Sequence, residues 1–204
     1  SKSRILRIAD MQQKKFSGYI VGGAILLVLA IWIITSYNAF VNKQEKVKLQ
    51  WSEVQNTYQR RIDLIPNLVN VVKGVSDFEQ TTLEKITEAR SKAINGLSDN
   101  EISGENYQKQ KQLQDTLAAA ANRLIIQIEK YPALKGTTAY AGLQTQLEGT
   151  ERRIKVARND FNEAVAAYNK KVRSFPSNLV AVIFGFKKKE GFVADTGTEK
   201  TVEI

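Results

Sequence analysis

The side chains best placed to do chemistry form a charged motif, residues 60–67, with the sequence Arg-Arg-Ile-Asp-Leu-Ile-Pro-Asn. Two guanidinium groups and a carboxylate beside the apolar Ile62 and Ile65 usually form ion pairs with another helix. General acid–base catalysis would need a carboxylate with a perturbed pKa in a concave pocket, and a rod of helices offers few pockets. The motif therefore favours a network that fixes helix register. A subunit contact is the second interpretation, and catalysis is the least favoured.

Partners for the charged motif are expected on the last long helix, which carries charged side chains of both signs. The candidate residues for helix register or subunit contact are Arg60, Arg61, Asp63, Pro66, Asn67, Glu148, Glu151, Arg152 and Arg158.

The composition excludes most catalytic chemistry. The chain contains no Cys and no His, which removes disulfides, Cys-based zinc sites, thiol nucleophiles and a Ser-His-Asp triad. No Gly-rich phosphate-binding loop is present. We therefore predict a protein that is not an enzyme and has no cofactor or metal site. The formal net charge of +9 favours anionic partners. Because no nucleic-acid-binding motif is found, a phospholipid surface is expected and nucleic acid is not.

An uncharged stretch from Phe16 to Asn42 predicts a membrane anchor. It exceeds the ~20 mostly apolar residues that a helix needs to cross the hydrocarbon core. Tyr19, Trp32 and Tyr37 lie near its ends, where aromatic side chains occupy the membrane interface. A cleaved signal peptide is the less favoured alternative, because its apolar region would be ~7–15 residues and residues 36–38 match a cleavage site poorly. We expect the span at residues 18–40.

The charges around the span predict its orientation. Basic residues precede it at Lys2, Arg4, Arg7, Lys14 and Lys15 and follow it at Lys43, Lys46 and Lys48. The positive-inside rule then places the N-terminus in the cytoplasm and the soluble domain outside. If Met11 were the native start, most of the excess of basic residues before the span would disappear.

The rest of the chain has the spacing of long amphipathic helices. A first apolar stripe, which includes Tyr58, runs from Val47 to Val72, so close to the span that the anchor is expected to continue into it. Pro66 should kink this helix. A capping box at residues 76–79 predicts the start of a second helix, and Pro132 the end of a third. A heptad-like seam from Tyr140 to Phe175 predicts a fourth, coiled-coil-like helix over residues 137–174.

These elements predict an all-α fold: a single N-terminal transmembrane helix followed by an elongated antiparallel four-helix bundle with long first and last helices. The expected divisions are a short N-terminal tail at 1–17, the transmembrane helix at 18–40 and the helical bundle at 41–175. An apolar and basic segment at 176–189 and a flexible tail at 190–204 complete the chain.

The apolar and basic C-terminal segment, residues 176–189, is too short to span a bilayer. Its apolar side chains precede a cationic cluster, which suits either a membrane interface or a contact with a neighbouring subunit. The residues predicted to contact lipid or a neighbour are Phe184, Phe186, Lys187, Lys188 and Lys189.

Several motifs together resemble the LemA family of bacterial membrane proteins, over roughly residues 37–186. They include Gln50-Trp-Ser-Glu-Val54, Gln59-Arg-Arg-Ile-Asp-Leu-Ile-Pro-Asn-Leu-Val69, Glu129-Lys-Tyr-Pro-Ala-Leu-Lys135 and Phe175-Pro-Ser-Asn178. The chain departs from the family pattern at Gln50, Val75 and Arg152. The resemblance implies an anchored bundle of long helices in the bacterial inner membrane, and it implies no enzymatic activity.

Two functions compete at this stage. The first is a non-enzymatic scaffold that self-associates at the cell envelope, suggested by long helices with apolar seams and a basic tail. The second is an adaptor or regulator of a membrane protease or sensor. The resemblance implies this function only because LemA-like proteins often occur alongside membrane proteases.

Overall fold

The computed structural model describes residues 2–99 and 101–192, with side-chain environments from residue 18 onward. The described residues are helical apart from their turns and loops, with no strand among them. The helices are α1 Lys2–Val71, α2 Gln80–Leu97, α3 Gly104–Ile128, α4 Pro132–Lys135, α5 Thr138–Arg173 and α6 Ser177–Phe184.

Helix α1 joins the apolar span to the folded domain without a break. It has 70 residues, which corresponds to a rod ~105 Å long. Residues 2–17, predicted as a short tail, continue this helix. All side chains from Gly18 to Ala30 are exposed, and this end of α1 is long and apolar enough to cross a membrane. A helix that is apolar on every side and uncovered by its own chain has the character of a membrane span.

Helix α5 packs antiparallel along the part of α1 that follows the span. The ring of Phe40 lies 6.5 Å from that of Tyr168, and the ring of Trp51 lies 5.5 Å from that of Phe161. The predicted seam is mostly buried, which explains why α5 begins and ends within one residue of the predicted 137–174. Phe175, predicted as the last seam residue, is instead exposed, because α5 has ended before it.

Helices α2 and α3 form a hairpin against the part of α1 farthest from the span. Their buried residues include Ile86, Leu117 and Leu124, which share an apolar cluster with Ile62 and Leu68 of α1. Helix α2 begins at Gln80 with Glu79 as its N-cap. The predicted capping box at residues 76–79 therefore does not start this helix.

The chain after α6 folds back along the bundle. Gly185 has φ of 74°, a left-handed conformation that glycine adopts without strain. The Asn162 side-chain oxygen accepts from the Phe192 backbone N–H at 2.8 Å, and the Phe192 ring lies 5.4 Å from that of Phe161. The predicted start of the flexible tail at residue 190 is thus too early, because residues 190–192 include a buried aromatic anchor. Residues 193–204 lie outside the described part of the chain.

Candidate functional site

Arg61 is the centre of a network that joins three helices. Its side chain is only 2% exposed. One terminal nitrogen donates to the backbone oxygen of Gln114 at 2.9 Å and to the Gln114 side-chain oxygen at 3.2 Å. The other terminal nitrogen forms an ion pair with Glu151. The structure thus brings together Arg61 and Glu151, two of the residues predicted to fix helix register, and adds Gln114 of α3.

The remaining polar candidates apart from Arg158 do not join this network. Arg60, Asn67, Glu148 and Arg152 are exposed. The fifth, Asp63, is also exposed, and one of its carboxylate oxygens accepts from the Gln59 side-chain amide at 2.7 Å. These side chains are available for contacts outside the chain.

Pro66 has a specific partner for the backbone group that it leaves unpaired. Proline has no N–H, so the carbonyl of Ile62, four residues earlier, lacks its helical donor. The Nε of Arg90 on α2 donates to that carbonyl oxygen at 3.2 Å. Helix α1 continues through Pro66, and the proline becomes a point where α2 is attached to α1.

Arg158 has different partners from the predicted ones. Its Nε donates to the Tyr58 hydroxyl at 2.9 Å, and a terminal nitrogen donates to Asp115 at 3.1 Å. Its guanidinium carbon also lies 5.7 Å from the centre of the Phe192 ring. Burial raises the pKa of Tyr58, although Arg158 opposes that effect. Sequence reasoning missed Tyr58, which it assigned to the apolar stripe, and Asp115, which carries no motif.

Tyr37 of the predicted anchor and both aromatic residues predicted for the C-terminal segment meet in one cluster. The Tyr37 ring lies 5.0 Å from that of Phe184, and the Phe40 ring lies 4.7 Å from that of Phe186. Trp32 is half-buried against the same core cluster. Tyr19, at the other end of the span, is exposed. The end of the span is therefore attached to the C-terminal segment by ring contacts.

The lysines after α6 divide into two environments. Lys187 and Lys188 are exposed. Lys189 is half-buried, with its ammonium nitrogen 5.6 Å from the centre of the Tyr168 ring. Burial lowers the pKa of Lys189, and the positive charge of Lys48 adds to this effect.

A groove of about 500 Å³ lies between α1 and α5, on the surface of the bundle. We call it the α1–α5 groove. Its lining residues are Gln50, Glu53, Thr57, Gly149, Arg152, Arg153, Val156, Ala157 and Asp160.

The described residues contain no group of three or more His, Asp or Glu side chains that could hold a metal ion. Among the buried polar side chains, Arg61 connects α1 to Gln114 of α3 and to Glu151 of α5. The arrangement supports packing, membrane attachment and surface contact.

An apolar span continuous with a helical domain defines a membrane-anchored helical protein. The family model described as "LemA family" matches residues 50–204. The chain belongs to the LemA family, as its motifs predicted.

Similar proteins carry two names. Magnetosome protein MamQ 2 of Paramagnetospirillum magneticum is 27% identical over 178 residues, 78% of this chain and 65% of that protein. Magnetosome protein MamQ of Magnetospirillum gryphiswaldense is 27% identical over 198 residues, 83% of this chain and 73% of that protein. Protein LemA of Metamycoplasma hominis is 28% identical over 144 residues, 71% of this chain and 63% of that protein. The matched region thus spans about two thirds of these relatives.

Proposed function

We propose that this protein is a non-enzymatic scaffold in the bacterial inner membrane, whose bundle associates with further copies of the same chain. In this proposal the four long helices act as one antiparallel bundle. Because α1 is continuous through Val71, a contact made by the bundle fixes the spacing of the membrane spans beneath it.

The observation that carries the proposal is the charge in the α1–α5 groove. Glu53, Arg152, Arg153 and Asp160 line it and are all exposed. Among the described residues, none of these four has an ion pair or a side-chain hydrogen bond. Val156 lies between them and is 58% exposed. An exposed apolar side chain surrounded by unpaired charges of both signs has the composition of a small protein contact.

The order of the charges along the groove favours a heterologous contact. Phe161 contacts Trp51, which places Asp160 and Glu53 at one level near the membrane. Glu151 pairs with Arg61, so Arg152 lies ~12 Å farther from the membrane. Two copies in one membrane lie at the same height above it. A twofold contact between their grooves would therefore place the acidic residues of one copy beside those of the other. In a heterologous contact, the groove of one copy binds a different surface of the next copy. Such a contact avoids this repulsion and repeats into a ring or a filament.

The test is the mass of particles extracted from native membranes with a styrene–maleic acid copolymer, measured by mass photometry. Gly149→Trp fills the groove, and a Cβ at this position meets no atom within 4 Å, so the fold should tolerate the change. The matched control is Gly142→Trp, on the same helix with equally open space.

We expect multimers for the unmodified chain and for Gly142→Trp, and smaller particles for Gly149→Trp. A monomer at every concentration of the unmodified chain contradicts self-association. Multimers that persist in Gly149→Trp contradict the assignment to this groove. A stoichiometric complex with a different protein would support the alternative function, an adaptor or regulator of a membrane protease or sensor.

The orientation that we propose places the bundle on the extracytoplasmic side, supported by the basic residues before the span. Ile126→Cys, at an exposed position of α3 outside the groove, would be the only thiol in the chain. A membrane-impermeant maleimide should label it in intact cells whose outer layers are permeabilised. Labelling that requires lysis of the cytoplasmic membrane would reverse the orientation.

A further inference from the structure

Helix α6 exposes an apolar stripe. Leu179, Val182 and Ile183 share one side of the helix by their i, i+3, i+4 spacing, opposite the buried Val180 and Ala181. Val182 is 83% exposed. Within the described part of the chain nothing covers this stripe, so it needs an apolar partner from outside.

The stripe lies beside the span. Helix α5 approaches the membrane as it proceeds, since Phe161 contacts Trp51 and Tyr168 contacts Phe40. Phe175, seven residues after Tyr168, lies up to ~10 Å nearer the span than Phe40. The end of α6 returns to the same level, because Phe184 contacts Tyr37.

This level falls within the hydrocarbon region. The uncharged stretch from Phe16 to Asn42 is ~40 Å long as a helix. A hydrocarbon core of ~30 Å covers ~20 of its residues, which when centred extend from about Tyr19 to about Ala39. Tyr37, and therefore the Phe184 ring that contacts it, lies inside the boundary of that core.

The charges around α6 fit the same position. Arg173 precedes it, Lys187 and Lys188 follow it, and all three are exposed. Long basic side chains can extend from the edge of the apolar region to lipid phosphates. The exposed face of α6 itself carries no charge.

We propose that α6 is inserted into one leaflet of the membrane beside α1, with lipid acyl chains covering Leu179, Val182 and Ile183. The protein would then hold the membrane with one helix that crosses both leaflets and a second that enters only the leaflet next to the bundle. This inference does not depend on self-association.

The test uses spin labels at single cysteines, which the chain permits without other changes because it contains none. The full chain is reconstituted into bilayers of phosphatidylcholine and phosphatidylglycerol. Labels at Val182→Cys and Ile183→Cys are compared with Leu26→Cys in the span and Ile126→Cys on α3, outside the α1–α5 groove, all exposed positions. Collision rates with oxygen, which concentrates in lipid, and with a water-soluble nickel chelate are measured.

The ratio of oxygen to nickel collisions at residues 182 and 183 should approach that at residue 26 and exceed that at residue 126 several-fold. A ratio equal to that at residue 126 would place α6 in water and overturn the proposal. Low collision rates with both reagents would also overturn it, because they would show that a second copy or another protein covers the stripe. Two labelled positions on the stripe guard against one variant that perturbs α6.

Discussion

Arg61 is the largest fully buried side chain of the described residues, and its positive charge has one ionised partner, Glu151. Removing water from a charge is costly, so the network is stabilising only while the partner is present. The half-exposed Glu151 can return to water, whereas Arg61 cannot. The two residues should therefore respond very differently to substitution.

Glu151→Ala should destabilise the bundle by about 2–3 kcal/mol, because it leaves the buried Arg61 charge without its carboxylate. Arg61→Met should cost less, since it replaces the charge with an apolar side chain of similar length. Urea unfolding in detergent measures both. Glu148→Ala, at an exposed site on the same helix, is the control and should change little. Equal losses in Arg61→Met and Glu151→Ala would contradict this explanation.

Alkaline pH should weaken the bundle through its buried tyrosines. Burial raises the pKa of Tyr107 to about 12 from an ordinary value of 10.0. The folded state therefore favours the neutral phenol, and its contribution is complete below the unfolded pKa and is lost as pH rises from about 10 to about 12. Unfolding free energy should fall over this window, and less steeply in Tyr107→Phe, which keeps the ring. Identical pH profiles for both chains would show that Tyr107 is not responsible.

At the scale of elements, long periodic patterns in the sequence predicted the helices well, whereas a local motif predicted a helix start poorly. The seam of α5 located that helix within one residue at each end. The capping box at residues 76–79 predicted the start of α2 three residues or more too early. Phe78 explains the difference, because it is buried and its ring lies 5.6 Å from that of Tyr131. That tertiary contact holds the segment in a turn, and no local pattern reveals it.

The candidate site residues were likewise only partly predictable from the sequence. Arg61 and Glu151 were both among the candidates because charges beside an apolar stripe need partners, but which residues pair was not predicted. Gln114 and Arg90 were not among them, since Gln114 accepts from Arg61 through its own backbone carbonyl and Arg90 donates to the backbone carbonyl of Ile62, and contacts with backbone groups leave no sequence pattern. The aromatic residues of the anchor and of the C-terminal segment were identified separately, and only the fold shows that they touch.

The bond from Arg90 to the Ile62 carbonyl predicts a coupling between Arg90 and Pro66. Arg90→Met should cost about 1–2 kcal/mol, because it leaves a buried carbonyl without a donor. In a Pro66→Ala background the new backbone N–H can donate to the Ile62 carbonyl. Arg90→Met should therefore lower the free energy of unfolding clearly less in that background. A double-mutant cycle of unfolding free energies measures the difference. Strictly additive effects would contradict the link between the proline and Arg90.

Phe192 should anchor the end of the described chain. Its ring contacts Trp51, Tyr107 and Phe161, so Phe192→Ala should lower stability by about 2–3 kcal/mol, somewhat less than a full core phenylalanine. Ile126→Ala, at an exposed apolar position, is the control for lost hydrophobicity alone. Thermal unfolding gives the melting temperature of each variant. An equal decrease in both would mean that Phe192 belongs to the flexible tail after all.

At the scale of the whole molecule, the chain is a rod with one end in the membrane. Helix α1 carries both the span and the bundle's first face, α5 packs along it, and α6 joins the bundle to the span. Any force or spacing imposed on the bundle is therefore transmitted directly to the membrane. We propose that other copies of the chain impose that spacing through the α1–α5 groove.

The most direct test is photocrosslinking from that groove in intact membranes. Val156→Cys is labelled with benzophenone maleimide, irradiated, and the products identified by mass spectrometry, with Ile126→Cys as an equally exposed control outside the groove. We expect residue 156 to capture a second copy of this chain and residue 126 to do so much less. Uncrosslinked monomer from residue 156, or capture of a different protein alone, would contradict the scaffold.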